Sequence, residues 1–324
     1  MRLPAFCALA VAIASVCAGP CTAQGWPTRT VKVIVPFPAG STPDFATRLV
    51  TDRLQAKLSQ PFIVENRAGA SGNIGTDAIA KAEPDGYTIG VSIGGPLAVN
   101  TLLYPRLPYD PAKDLAPITL LTVQPSILVV NNDLPARSAA ELVALLKADP
   151  GRYNYGSIGN GSLSHLAMEA IAMRSATRPT HIPYPGSPAA LTALMRGDVQ
   201  MAVLPAGSVV AQAEAGQIRM LAVTAPERSP LLPDLPTLRE ADIPEVEANA
   251  WNGFVAPART PEPILARLGA AIRDVLAEPE VRAKLRVQVM EAGGGSAEAF
   301  RETIRGELAR WEPVIRANNI RIGN

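Results

Sequence analysis

Four short segments hold the residue types that could do chemistry in this chain. They are Pro36-Phe37-Pro38-Ala39-Gly40-Ser41-Thr42-Pro43-Asp44, Asn66-Arg67-Ala68-Gly69-Ala70-Ser71-Gly72-Asn73-Ile74-Gly75, Gly159-Asn160-Gly161-Ser162-Leu163-Ser164-His165 and Tyr184-Pro185-Gly186-Ser187-Pro188-Ala189. Each follows a strand-like run and leads into a helix-like one. Glycine lets the backbone come close to a ligand, and serine and threonine add hydroxyl donors. The first N–H groups of a helix have no intrahelical acceptor and carry partial positive charge. A carboxylate placed there gains hydrogen bonds plus about 0.3–1 kcal/mol per helix from the dipole. One such loop reads most simply as a turn. Four of them, two in each of two α/β units, point to a shared anion site.

Motifs for stronger chemistry are missing. There is no G-x-x-x-x-G-K-[ST], and Gly69-x-x-Gly72-x-x-Gly75 is not a dinucleotide fingerprint. The two histidines have no metal-ligand spacing, so no metal and no cofactor are expected. His165 follows Ser162 by three residues, a pair that a secreted serine hydrolase could use. Neither Ser162 nor Ser164 stands in G-x-S-x-G, however, so His165 is expected to pack or hydrogen-bond near a cleft. His181 reads as a strand residue and Trp251 as core or cleft rim. Asp44 in a first helical turn, with Arg48 four residues on, reads as structural support before ligand contact. Arg67 could reach a ligand carboxylate or pair with a nearby acid.

The elements that must position these loops are legible in the hydrophobic pattern. Val31–Val35, Phe62–Glu65 and Thr88–Ser92 read as strands. Thr42 is expected to cap a helix running through Leu58 with Pro43 at its first position, and Ile74–Ala82 reads as a second helix. A β-α-β-α-β run implies a parallel sheet covered on both faces. Residues 103–117 hold four prolines and read as a long surface connection. A second unit follows, with strands at Ser126–Val130, from Tyr153, at Val199–Leu204 and at Met220–Thr224. Its helices are Ala139–Lys147, Ser162–Met173 and Ala189–Met195. Ile264–Leu276 and Phe300–Ile315 are amphipathic. The expected division is one lobe of residues 24–124 and 225–324 and another of 125–224. The chain would cross between them near Thr122–Val130 and Leu221–Ala225.

Composition excludes several classes. The chain has 324 residues, 30 Lys+Arg against 29 Asp+Glu, and a net charge of +1. A reader of nucleic-acid phosphates needs a basic excess. Beyond the first twenty residues no stretch approaches the roughly 18 apolar residues of a membrane span, so a multi-pass protein is not expected. The N-terminus reads as a secretory signal: Arg2, the apolar run Phe6–Val16, and Cys21-Thr22-Ala23, with cleavage after Ala23. Cys7, Cys17 and Cys21 all lie in residues 1–23, so cleavage would leave a chain with no disulfide and no thiol. An exported, neutral, cysteine-free chain points to a bacterial periplasm.

These residues resemble the Bug (TctC-like) family, the extracytoplasmic receptors of tripartite tricarboxylate transporters. The likeness runs through the Pro36–Gly40 loop with Asp44 and Arg48, Val64-Glu65-Asn66-Arg67 with Gly69-Ala70 and Gly72, and Pro84-Asp85-Gly86-Tyr87-Thr88. It continues in Gly159-x-Gly161-Ser162 with His165, His181-Ile182-Pro183-Tyr184 with Gly186, and Trp251 with Gly253, Pro257, Thr260 and Pro261. The resemblance implies a type II periplasmic binding fold, two lobes closing on a small carboxylate held by backbone amides, hydroxyls and waters. It implies no catalysis, and delivery of the ligand to a membrane permease. The ligand-binding set so expected is Ala39, Gly40, Ser41, Thr42, Asp44, Gly69, Ala70, Gly161, Ser162, His165, Tyr184, Gly186, Ser187 and Ala189, in a monomer. The family usually has a second glycine where Ser41 stands and alanine where Thr47 stands, which bears on the ligand's identity. A ligand sensor for a signalling partner would use the same cleft.

Overall fold

The β-branched run Val31–Val35 forms β1, with β2 (Phe62–Asn66) and β3 (Thr88–Ile93) parallel on its two sides. The crossovers contain α1 (Thr42–Leu58) and α2 (Asn73–Ala80). The computed structural model describes residues 25–244, 246–317 and 319–322. The expected signal peptide, with its three cysteines, lies outside the described residues.

After β3 come the short helices α3 (Asn100–Leu103) and α4 (Pro111–Asp114), then β4 (Leu115–Gln124). The second unit comprises β5 (Ser126–Asn131), α5 (Ala139–Ala148), β6 (Asn154–Ser157), α6 (Leu163–Ser175), β7 (Thr180–Pro183), α7 (Ser187–Arg196), β8 (Met201–Pro205), α8 (Val210–Glu214) and β9 (Ile218–Val223). The chain ends with β10 (Ala250–Pro257), α9 (Glu262–Ala277), α10 (Pro279–Val287), β11 (Glu291–Gly294) and α11 (Ala297–Ala317).

Two mixed sheets result. One has the order β11-β4-β10-β3-β1-β2, the other β7-β6-β8-β5-β9. Only Pro125 separates β4 from β5, so the chain changes sheets there and returns between β9 and β10. In the first sheet Val31, Val33, Ile89 and Val91 face Ala46, Val50 and Leu54 of α1 and Leu268, Ile272 and Val275 of α9. The opposite face packs Ile34 and Val255 with Ile79 of α2 and Phe300 of α11. Both faces are thus covered, as a central parallel run requires. Trp311 and Ile315 at the far end of α11 join a core built largely from α5, α6 and the second sheet.

Three expectations are corrected. The stretch 103–117 is not merely a surface connection: Leu103, Tyr109 and Leu115 are buried. Tyr109 donates its hydroxyl proton among Asn73 Oδ1 (2.9 Å) and Pro96 O (3.0 Å), which ties the loop to the first sheet. Ser41, not Thr42, is the N-cap of α1, because Thr42 is already helical and Pro43 takes the second position. The parallel reading also missed β10, which runs antiparallel between β3 and β4.

Candidate functional site

A cavity opens between the two sheets. From the first sheet's side it is lined by Phe37, Ser41, Thr42 and Pro43 at the first loop and helix start, Ile93 at the end of β3, and Ala250, Trp251 and Asn252 of β10. From the second it is lined by Ser126, Ile158, Leu163, Ser164, Ser187 and Pro205. Three helices, α1, α6 and α7, present their N-terminal residues to this one space: Thr42, Leu163 with Ser164, and Ser187. The first N–H groups of a helix have no intrahelical partner and carry partial positive charge, so three helix starts at one space favour an anion there, although Pro43 of α1 supplies no N–H. Among the described residues, no acidic or basic side chain lines the cavity. The field that favours an anion there comes from oriented amides, and hydroxyls supply the remaining donors.

Each loop is held by its own polar frame. In the first, the buried Asp44 carboxylate accepts from Gly40 N (2.9 Å), Arg48 Nε (3.0 Å) and Asn66 Nδ2 (2.9 Å). Burial alone would raise its pKa, but the bonds from Arg48, Asn66 and Gly40 prevail and hold the carboxyl below its ordinary range. Asp44 therefore shapes the loop from behind, facing away from the cavity. Ser41 Oγ donates back to Pro38 O at 2.7 Å.

The second loop backs the cavity instead of lining it. Gly159 has φ +129°, and a Cβ there would stand 2.5 Å from Ser71 Oγ. Ser71 and Gly159 thus bring the second and third loops together at a position only glycine fits. Gly69 and Ala70 lie outside the lining. In the fourth loop a Cβ on Gly186 would meet Pro38 Cδ at 3.1 Å, so the first and fourth loops also abut.

The third loop is fixed by its serine and histidine. Ser162 is the N-cap of α6: its Oγ accepts from His165 N (3.3 Å) and donates to Gly159 O (2.7 Å). His165 Nδ1 accepts the Gly161 N–H at 3.1 Å. Its ring stacks on His181, whose Nε2 lies 2.6 Å from Ser157 Oγ. Burial, reinforced for His165 by the neighbouring ring, lowers the two pKa values to about 3 and about 4. Both rings are neutral near pH 7. The Ser162 hydroxyl makes no hydrogen bond to the His165 ring, so these two residues are not a nucleophile and its base.

Of the expected set, Ser41, Thr42 and Ser187 line the cavity. Ala39, Gly40, Asp44, Gly161, Ser162, His165, Tyr184, Gly186 and Ala189 shape or flank the surrounding loops without lining it. Ser126, Ser164, Asn252 and Trp251 were not in that set. Ser164 donates to Val203 O, and Asn252 Nδ2 donates to Thr122 Oγ1 at 2.8 Å, so each is anchored before any ligand arrives. The signal for Asn252 was a polar residue inside the otherwise apolar run Phe254–Ala256 and Trp251, visible only once that run is known to be a strand.

A profile described as the tripartite tricarboxylate transporter family receptor matches residues 46–320. Protein BugT of Bordetella pertussis is 34% identical over 99% of this chain and 98% of its own length. Among solved structures, Rpa4515 of R. palustris with adipate superposes with a TM-score of 0.88 at 37% identity, covering 90% of this chain and 97% of that one. MatC from Rhodopseudomonas palustris with bound malate gives 0.85 at 33% identity, covering 89% and 99%. The converging helix starts and the two mixed sheets are those of a binding protein, and the chain belongs to the tripartite tricarboxylate transporter receptor family, a family of periplasmic solute-binding receptors and not of enzymes.

Proposed function

We propose that the protein captures a small carboxylate in the cavity between its sheets and presents the closed form to a membrane permease. The carrying observation is that α1, α6 and α7 bring their N-terminal residues to one space whose lining, among the described residues, holds no charged side chain. A carboxylate there is held by amide N–H groups and by the hydroxyls of Thr42 and Ser187, with the walls of Ile93, Ile158 and Trp251 covering its hydrocarbon part. The related structures with adipate and malate support that ligand class. Residues 24–124 with 225–324 form one lobe and 125–224 the other, moving about the strand crossings. A ligand that touches both lobes binds the closed state better, which is what shifts the equilibrium. Residues 1–23 direct export to the periplasm, and the receptor works as a monomer.

Native mass spectrometry of freshly purified protein, followed by calorimetric titration with adipate and malate, tests this. The expected result is a bound acid of low mass, or saturable binding of at least one of the two. Protein that retains no acid and binds neither overturns the reading.

A further inference from the structure

Trp251 walls the cavity from β10, and its indole N–H does not face the ligand space. It donates to Glu307 Oε2 of α11 at 3.0 Å. The other oxygen, Oε1, accepts the indole N–H of Trp311, four residues further along α11, at 2.5 Å. Glu307 is 7% exposed, on the helix stripe that also buries Phe300, Trp311 and Ile315. An acid there is costly, and burial pushes its pKa up against the pull of the two indoles and Arg310. A leucine would pack such a stripe without that cost.

The carboxylate's position explains it. Leu163 Cδ1, Trp251 Cζ2 and Glu307 Cγ converge on Gly94, each 3.3–3.4 Å from where a Cβ would sit. Leu163 and Trp251 are both cavity walls. Glu307 therefore lies directly behind the wall and bonds the one polar atom of its largest member.

We propose that Glu307 is a positioning residue for the ligand cavity, fixing the Trp251 indole by accepting its N–H and so setting affinity without touching the ligand. This rests on the reading that the cavity takes a carboxylate. Two indole donors on two oxygens need an acceptor on each, which a carboxylate supplies. A glutamine offers one carbonyl and an NH2 donor, so one indole is left facing a donor. Replacing Trp311 by phenylalanine removes that competitor and frees the glutamine carbonyl for Trp251.

The test uses full-length protein labelled with 15N at the indoles of its three tryptophans, Trp26, Trp251 and Trp311. In E307Q the acceptor loses its charge, and the Trp251 N–H resonance is expected to move while that of Trp26 stays. The variants E307Q/W311F and E307L/W311F differ in whether Trp251 keeps an acceptor. The first is expected to bind adipate or malate as the wild type does, and the second about fivefold or more weakly. An unmoved Trp251 resonance in E307Q overturns the proposal, as does equal affinity of the two double variants. If E307L/W311F does not fold, E307Q alone decides through its resonances. A wild type that binds neither acid instead overturns the ligand reading, and the resonances then decide the positioning by themselves.

Discussion

His165 and His181 lie face to face, with ring centroids 3.9 Å apart and planes within 8° of parallel. The stack works only between neutral rings. His165 Nδ1 must accept from Gly161, and two stacked imidazolium ions would repel. Folding lowers both pKa values from 6.5, to about 3 for His165 and about 4 for His181, chiefly through burial. Between those values and 6.5 the unfolded chain binds more protons than the folded one, so stability rises with pH. It is full above about 6.5 and is lost as pH falls toward 3, with His165 alone accounting for about 2 kcal/mol at pH 5. Urea melts at pH 7.5 and pH 5 check this. The His181→Phe variant keeps a ring on the stack and removes one titrating group, so its loss on acidification should be smaller than that of the wild type. An equal or larger loss would show that the pair does not carry the acid sensitivity.

Ser162→Ala is expected to act on the loop before it acts on the ligand. Its hydroxyl accepts from His165 N and donates to Gly159 O, so it caps α6 and does not reach the cavity. Loss of an N-cap costs roughly 0.5–2 kcal/mol of stability. Thermal melting should show that loss, and calorimetry should show a change in carboxylate affinity smaller than the one produced by Ser187→Ala. The reverse ranking would place the Ser162 hydroxyl on the ligand.

The parallel halves of both units were legible because each strand and its crossover helix sit next to one another in the chain. Val31–Val35, α1 and Phe62–Asn66 announce themselves by local periodicity. The strands β4 and β10 did not. They pair across more than a hundred residues, and irregularities in register fall between Asn252 and Gly253 and between Phe254 and Val255. Gly253 is there because a Cβ would lie 2.0 Å from the Phe300 ring, a contact with α11 that no local window contains. The same distance hid Asn252 from the expected cavity lining and left Trp251 read only as core or cleft rim. The helix-start residues Ser41, Thr42 and Ser187 were visible because a Gly/Ser/Pro-rich loop running into a helix is written in adjacent residues. Asp44 and His165 were visible for the same reason, but their bonds turn inward to the loops.

Gly207 reports on how the two halves meet. Its N–H donates to Gln124 Oε1 at 3.0 Å, and a Cβ there would stand 2.5 Å from the backbone oxygen of Gln288. Gly207 follows β8 of the second sheet, and Gln288 follows α10 on the first. A backbone oxygen cannot rotate away, so Gly207→Ala must hold these turns apart. If ligand capture needs this approach, affinity for the bound acid drops by about tenfold, a cost of ~1.4 kcal/mol. The radius of gyration of the liganded form, measured by small-angle X-ray scattering, should also exceed that of the wild type. Unchanged affinity and scattering would mean that the approach at Gly207 is incidental to capture.

Ser187→Asp separates the two things a helix start can do with negative charge. Ser187 opens α7, and its residue position faces the cavity along with the starts of α1 and α6. An aspartate there satisfies the same unpaired N–H groups and the same dipole that the ligand carboxylate would use. Ser187 is buried, so the carboxylate is desolvated there, and the dipole and N–H groups offset only part of that cost; folding stability should fall modestly while the protein stays folded. Binding of adipate and malate should fall by about a hundredfold or more, because the ligand would meet a like charge in a water-poor space. Melting temperature and calorimetry read the two effects independently. A variant that is well folded and still binds the acid with wild-type affinity would place the carboxylate away from α7 and remove that helix from the site.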